Sequence, residues 1–168
     1  MNDAPTDNQA GAKARRAGGR GGATAMGLLP ELLGYHLRCA HVAVFQHFNA
    51  TLGVHDISAP QFGTLLLIEA NPGVSQSSVA EALRFDRSTL VQIIDRLEAR
   101  GLVRRAASAQ DRRTHALRLT EGGTALLAEL KALAHEHERV VAEGLSEDER
   151  AQLLALLERL HTPGPGRG

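Results

Sequence analysis

The sequence predicts a mainly α-helical chain interrupted by one small β-hairpin. Three observations carry that expectation. Ala and Leu, both strong helix formers, dominate a composition with only 3% aromatic residues and no Trp. Helix-start and helix-stop residues recur between Pro30 and His161. One stretch, 102–119, loses the three-to-four-residue apolar period and alternates instead. At 168 residues, 43% of them hydrophobic, the chain suits one domain, or a compact unit with a helical appendage, and can bury a core.

Each element has its own signals. Residues 1–26, rich in Gly, Ala, Asn and Arg, are too polar to order themselves, and the Pro/Gly tail at 162–168 is alike; both are expected to be disordered. Pro30 suits the first turn of a helix running to about Leu52, with Leu33, Leu37, Ala40, Val44 and Phe48 at helical steps. Ser58-Ala59-Pro60-Gln61 is a capping box, flanked by Ile57 and Phe62 as a hydrophobic staple, and its helix ends near Asn71. A short helix starts at Ser75, stapled by Val74 and Val79, and ends near Leu83. Asp86 caps the next, which stops at Gly101, where a left-handed residue lets Leu102 fold back onto Leu97. Val103 and the run Ala116-Leu117-Arg118-Leu119 mark two short strands around a long, arginine-bearing tip. Thr120 caps a helix over about 121–143, and the box Ser146–Glu149 opens a last helix to about His161.

The formal net charge is zero, but its distribution is uneven. Residues 84–118 hold nine arginines against four acids, a net of +5, whereas 119–161 hold nine acids against four bases, a net of −5. That arrangement can lay a basic footprint on one face of a neutral protein. Cys39 is the only cysteine, so no disulfide framework exists, and the chain reads as intracellular, with the cytoplasm as default. No apolar run reaches the roughly 18 residues of a membrane span, and the polar N-terminus lacks a secretory signal. Gly-rich phosphate loops, HExxH and nucleophile elbows are missing, so neither catalytic residues nor a cofactor are expected. His135-Glu136-His137 is no metal site, because residues two apart in a helix diverge by about 200°; both imidazoles are expected on a solvated face.

Two helices joined by a tight turn, then two strands, fit a winged helix-turn-helix. In that arrangement the second helix enters the major groove of DNA. Its apolar stripe is Leu90, Ile93, Ile94 and Leu97; its other face offers Ser88, Gln92 and Arg96, with Arg87 and Thr89 near the N-terminus. Gln can pair bidentately with adenine and Arg with guanine, while short hydroxyls at helix starts, Ser75 and Ser77 included, suit phosphate oxygens. Taken alone, the same face also suits the solvated side of an amphipathic helix. The following stretch tips the balance. Through DRSTLVQIIDRLEARGLVRR (86–105) and DRR-x5-LT (111–120), the chain resembles the MarR family of bacterial regulators.

The resemblance spans nearly the whole ordered chain, from Leu28 to about Leu160. It implies a homodimer built from N- and C-terminal helices (27–56 and 121–161), each subunit presenting a DNA-binding lobe (57–120) to double-stranded DNA. It further implies that Arg113 enters the minor groove, that Asp111 orients the wing, and that Arg112 reaches a phosphate. Many relatives carry a basic residue in place of Gln92, so their base preference does not transfer. Apart from the family, the last helix (Leu153, Leu154, Leu156, Leu157, Leu160) is too apolar for one small lobe, which favours burial in a partner subunit over the core of a monomer.

Regulators of this type lose DNA affinity on binding a small, often aromatic and acidic effector between the dimer helices and the lobe. Tyr35, His36, Arg38 and His47 are candidates to meet its carboxylate, with Phe48 or Phe62 as a wall. His36 and His47, eleven residues apart, fall on nearly one helical face. The expected function is a repressor released from a palindromic operator by an aromatic acid or its thioester. A thiol-based redox trigger at Cys39 is the alternative within the family, although HLRCAHV does not match a reactive-cysteine motif. A small helical enzyme or a protein-interaction adaptor on the same fold are alternatives of another class.

Overall fold

The computed structural model describes residues 24–107 and 115–161. A short 3-10 turn (Leu29–Glu31) precedes α1 (Leu33–Thr51), followed by α2 (Ala59–Ala70), β1 (Val74–Ser75), α3 (Gln76–Leu83), α4 (Arg87–Ala99), β2 (Val103–Ala107), β3 (His115–Leu119), α5 (Glu121–Val141) and α6 (Glu147–His161). The fold class is mainly helical with a small wing.

Local chemistry sets the boundaries. Ser58 and Gln61 close the capping box from both sides: Ser58 N–H donates to Gln61 Oε1 at 2.8 Å and Gln61 N–H to Ser58 Oγ at 3.4 Å. Asp86 accepts from the Thr89 N–H at 2.8 Å, and Thr120 from the Gly123 N–H at 2.9 Å. Gly101 adopts φ +68°, and the Leu102 N–H turns back to the Leu97 carbonyl at 2.9 Å. Two expectations are corrected. The helix begun at Pro30 does not run through to Leu52: Leu32 is extended (φ −93°, ψ 122°) and no side chain caps either start, so a 3-10 turn and α1 form separately. The sheet has three antiparallel strands in the order β1-β3-β2 rather than two. Val74 and Ser75 pair with Leu117 and Ala116, a long-range match that a two-residue strand fused to a helix cap does not announce.

The core lies in the lobe. Leu65 and Ile68 of α2, Val79 of α3, Leu90, Ile94 and Leu97 of α4, Val103 of β2 and Leu117 of β3 are buried together, joined by Phe48 and Leu52 of α1 and Leu127 and Leu130 of α5. Gly123 is required where α5 leaves the sheet, since a Cβ there would stand 1.9 Å from the Leu102 carbonyl oxygen. Lys131 pairs with Glu69 and ties α5 to α2.

Along α1 and α6, burial nearly stops. Phe48 is the one buried residue of α1, and α6 has none. α6 is held by an Arg150–Glu138 ion pair at 3.2 Å and by Arg84, whose Nη1 donates to the His161 carbonyl at 2.6 Å. Leu28, Leu33, Leu37 and Phe45, and Leu153, Leu154, Leu156 and Leu160, are exposed in the single subunit. No helix among the described residues is long and apolar enough to cross a membrane.

Candidate nucleic-acid interface

α3 and α4 meet through a two-step turn in which Arg84 takes the left-handed conformation (φ +55°) and the Phe85 N–H bonds the Ala80 carbonyl at 2.9 Å. This turn fixes the crossing of the two helices. α4 then divides by its 3.6-residue period: Leu90, Ile93, Ile94 and Leu97 are buried, while Arg87, Ser88, Thr89, Gln92 and Arg96 are exposed. Ser88 and Gln92, four residues apart, stand on one line at the centre of the exposed face. Arg96 lies to one side, bordering an open cleft of about 660 Å³ with Arg100, Asp56 and Ser58. Arg100 is already engaged, donating to the backbone carbonyls of His55 at 3.0 Å and of Asp56.

The hydroxyls at the head of α4 are less free than their exposure suggests. Ser88 Oγ donates to Asp86 Oδ1, and Thr89 Oγ1 to Asp86 Oδ2, each at 2.5 Å. The Ser88 hydroxyl first, then the hydroxyl and N–H of Thr89, hold the Asp86 carboxyl well below the usual carboxylate range. With their hydrogens committed to Asp86, both oxygens present lone pairs outward. They suit a donor, such as a base amino group in the major groove, better than a phosphate oxygen. At α3, Ser75 Oγ lies 2.9 Å from both Ser77 Oγ and Ser78 Oγ and accepts from the Ser78 N–H at 3.1 Å. Ser77 and Ser78 are exposed beside the helix start.

A residue missed by the sequence reading organises the wing root. Arg105 bridges Asp95 at 2.5 Å and Glu98, and its backbone N–H also bonds Glu98 at 3.2 Å. The clamp fastens β2 to α4 and neutralises two acids of that helix. Separations of seven and ten residues between a helix and a strand carry no local signal in sequence. The expected tip residues Asp111, Arg112 and Arg113 lie outside the described residues.

The effector candidates divide into two groups. His47, Phe48 and Phe62 come together: the Phe48 and Phe62 rings are 6.1 Å apart, and His47 stacks on His137 with Nδ1 to Nδ1 at 2.7 Å. Tyr35, His36 and Arg38 do not join them. His36 Nε2 lies 2.8 Å from the Pro30 carbonyl, Tyr35 meets His36 edge-on at 5.5 Å, and Arg38 is exposed. Cys39 is exposed, and its thiol beside Tyr35 raises the phenol's pKa. His137 corrects the solvated-face expectation. The two imidazoles do diverge, but only His135 points to water; His137 is 4% exposed between His47 and the edge of Phe48. Burial, then the neighbouring His47, lowers its pKa, against the pull of Glu138.

A helix pair with a tight turn, an exposed polar face on its second member and a clamped β-wing define a winged helix-turn-helix protein. Residues 55–114 match the profile of the MarR family. A protein of Thauera aromatica, assigned as a transcriptional regulator of the hcr operon, is 37% identical over 130 residues, covering 77% of this chain and 78% of that one. The transcriptional repressor CouR, solved on a 23-mer DNA duplex, is 41% identical with a TM-score of 0.79, covering 84% of this chain and 100% of that one. CouR has also been solved bound to p-coumaroyl-CoA. BpsR of Bordetella bronchiseptica, whose DNA binding is regulated by 6-hydroxynicotinic acid, is 28% identical with a TM-score of 0.76, covering 80% and 96% of the two chains. The chain belongs to the MarR family and is a transcriptional regulator of that type.

Proposed function

We propose that the protein is a ligand-responsive repressor that binds a palindromic operator as a homodimer and is released by an aromatic acid or its thioester. The observation that carries this reading is the division of α4, whose apolar stripe is seated in the lobe while Arg87, Ser88, Gln92 and Arg96 are left exposed. Segments 57–120 form the DNA-binding lobe, with 27–56 and 121–161 holding two lobes roughly 34 Å apart, one turn of B-DNA. Gln92 and Ser88 address base edges. Arg87, Ser75, Ser77 and the wing residues Arg112 and Arg113 address the backbone and the minor groove, with Asp111 orienting the wing. Thr89 steadies the helix start, and Arg96 flanks it.

The effector acts through a difference in affinity between the DNA-competent and released conformations. His47, His137, Phe48 and Phe62 sit where α1, α2 and α5 converge, between lobe and dimer helices, and offer imidazoles to a carboxylate and rings to an aromatic body. The p-coumaroyl-CoA complex of CouR and the regulation of BpsR by 6-hydroxynicotinic acid support an effector of this chemistry. The test is a duplex-binding titration in the presence of a panel of aromatic acids and their coenzyme A thioesters. At least one is expected to release the duplex; full retention against the whole panel removes the effector class, and failure to bind any duplex removes the regulator reading.

A further inference from the structure

We propose that the outer face of the wing stem, carrying Arg104 and Arg118, binds the phosphate backbone of duplex flanking the recognised site. The proposal rests on the DNA-binding reading above and extends the contact surface beyond the two helices and the wing tip.

The stem carries three arginines, divided between its two faces. Arg105 shares the inner face with Val103 and Leu117 and is clamped by Asp95 and Glu98. Arg104 and Arg118 belong to the other face and are direct cross-strand partners. Both are exposed, and among the described residues neither has an acidic partner within ion-pair distance. Like charges placed directly opposite in an antiparallel pair are destabilising. An anion between or across them reverses that sign, and a guanidinium fork fits phosphate oxygens.

The lean of Arg118 gives the patch a direction. On its other side the strand neighbour is β1, where the Gly73 N–H bonds the Leu117 carbonyl at 2.8 Å. Gly73 has φ +95° and no Cβ, and a Cβ there would stand 3.4 Å from Arg118 Nη2. The guanidinium therefore lies across Gly73, away from Arg104 and toward the strand that runs into α3. Ser75 follows two residues later and pairs with Ala116, on the same face of β3 as Arg118. Arg104, Arg118 and the hydroxyl-rich start of α3 thus form one continuous edge of the lobe. Repeated negative charge at close spacing, about one per 1.7 Å of duplex axis, complements such an edge.

The experiment compares the full chain with the double variant Arg104→Gln/Arg118→Gln on an operator selected from a random duplex pool. Each is titrated over a range of salt on a core duplex of roughly 20 base pairs and on a version extended to roughly 40. For the extended duplex, the double variant is expected to lose the affinity gained from the flanks. Its slope of log affinity against log salt should be shallower by about 3.6, four phosphate contacts' worth for the two subunits of a dimer, with the core duplex bound as by the parent. Arg104→Lys/Arg118→Lys should keep most of the slope. Three results overturn the proposal: an unchanged slope on the extended duplex, an equal loss on both duplexes, or a lysine variant as weak as the glutamine one. If the parent binds neither duplex, the regulator reading itself falls, an outcome distinct from the other three.

Discussion

At the scale of single residues, two side chains carry consequences that can be measured. Gln92 stands exposed on the centre line of α4, one turn from Ser88, where a bidentate amide would read adenine. Gln92→Ala is expected to reduce discrimination between a selected operator and random duplex by about 1–3 kcal/mol. Competition binding checks it, and an equal loss on random DNA would show that Gln92 does not read bases. His137 links packing to pH. Its folded-state pKa is depressed, by burial first, whereas in the unfolded chain it binds a proton near the ordinary value of about 6.5. Between those two values the unfolded state holds more protons, so stability is complete above the ordinary value and falls as the pH drops toward the depressed one. Urea midpoints on either side of about pH 6.5 should therefore diverge more for the parent than for His137→Gln. The imidazole partner His47 makes the pair a sensitive reporter of this seam.

Among elements, the contact between the wing and its supports governs how the lobe holds its shape. α5 begins against the backbone just before β2, and Gly123 faces the Leu102 carbonyl with no room for a methyl group. Gly123→Ala should destabilise by about 1–3 kcal/mol, the usual cost of overpacking, whereas Gly122→Ala, with nothing closer than 3.8 Å, should be tolerated. Chemical denaturation of the two variants side by side decides it. Arg105 works at the middle of β2. Arg105→Ala frees Asp95 and Glu98 and loosens β2 from α4. Faster amide exchange in β2 and β3 and weaker duplex binding are expected together. Weaker binding with unchanged exchange would mean that Arg105 touches DNA rather than holding the wing.

Taken whole, the subunit is two unlike halves. The lobe encloses its apolar side chains, while Leu28 at 61%, Leu33 at 57%, and Leu154 and Leu160 at 56% exposure remain uncovered on the terminal helices. Several large exposed apolar residues on each of these elements exceed what a monomer tolerates in water, and a second copy of the chain covers them in the proposed dimer. Leu154→Asp/Leu160→Asp is expected to yield a folded monomer in sedimentation equilibrium with much weaker operator binding, since one lobe alone forfeits the second half-site. A double variant that remains dimeric would place the interface elsewhere.

Much of this was legible because it is local. Ser58, Asp86, Thr120 and Ser146 mark helix starts through bonds that span three residues, and Gly101 ends α4 by its own backbone preference. The period of Leu90, Ile93, Ile94 and Leu97 separated the inner face of α4 from its outer one. Tertiary structure alone decided what depends on distant partners: the pairing of β1 with β3, the Arg105 clamp and the burial of His137 against His47. The sequence by itself determined where the main helices and the wing hairpin lie and which helix faces are apolar, because capping and periodicity act within a few residues. Which polar groups are left with donors or charges to offer a ligand was decided by folding, because that depends on which neighbours have already satisfied them.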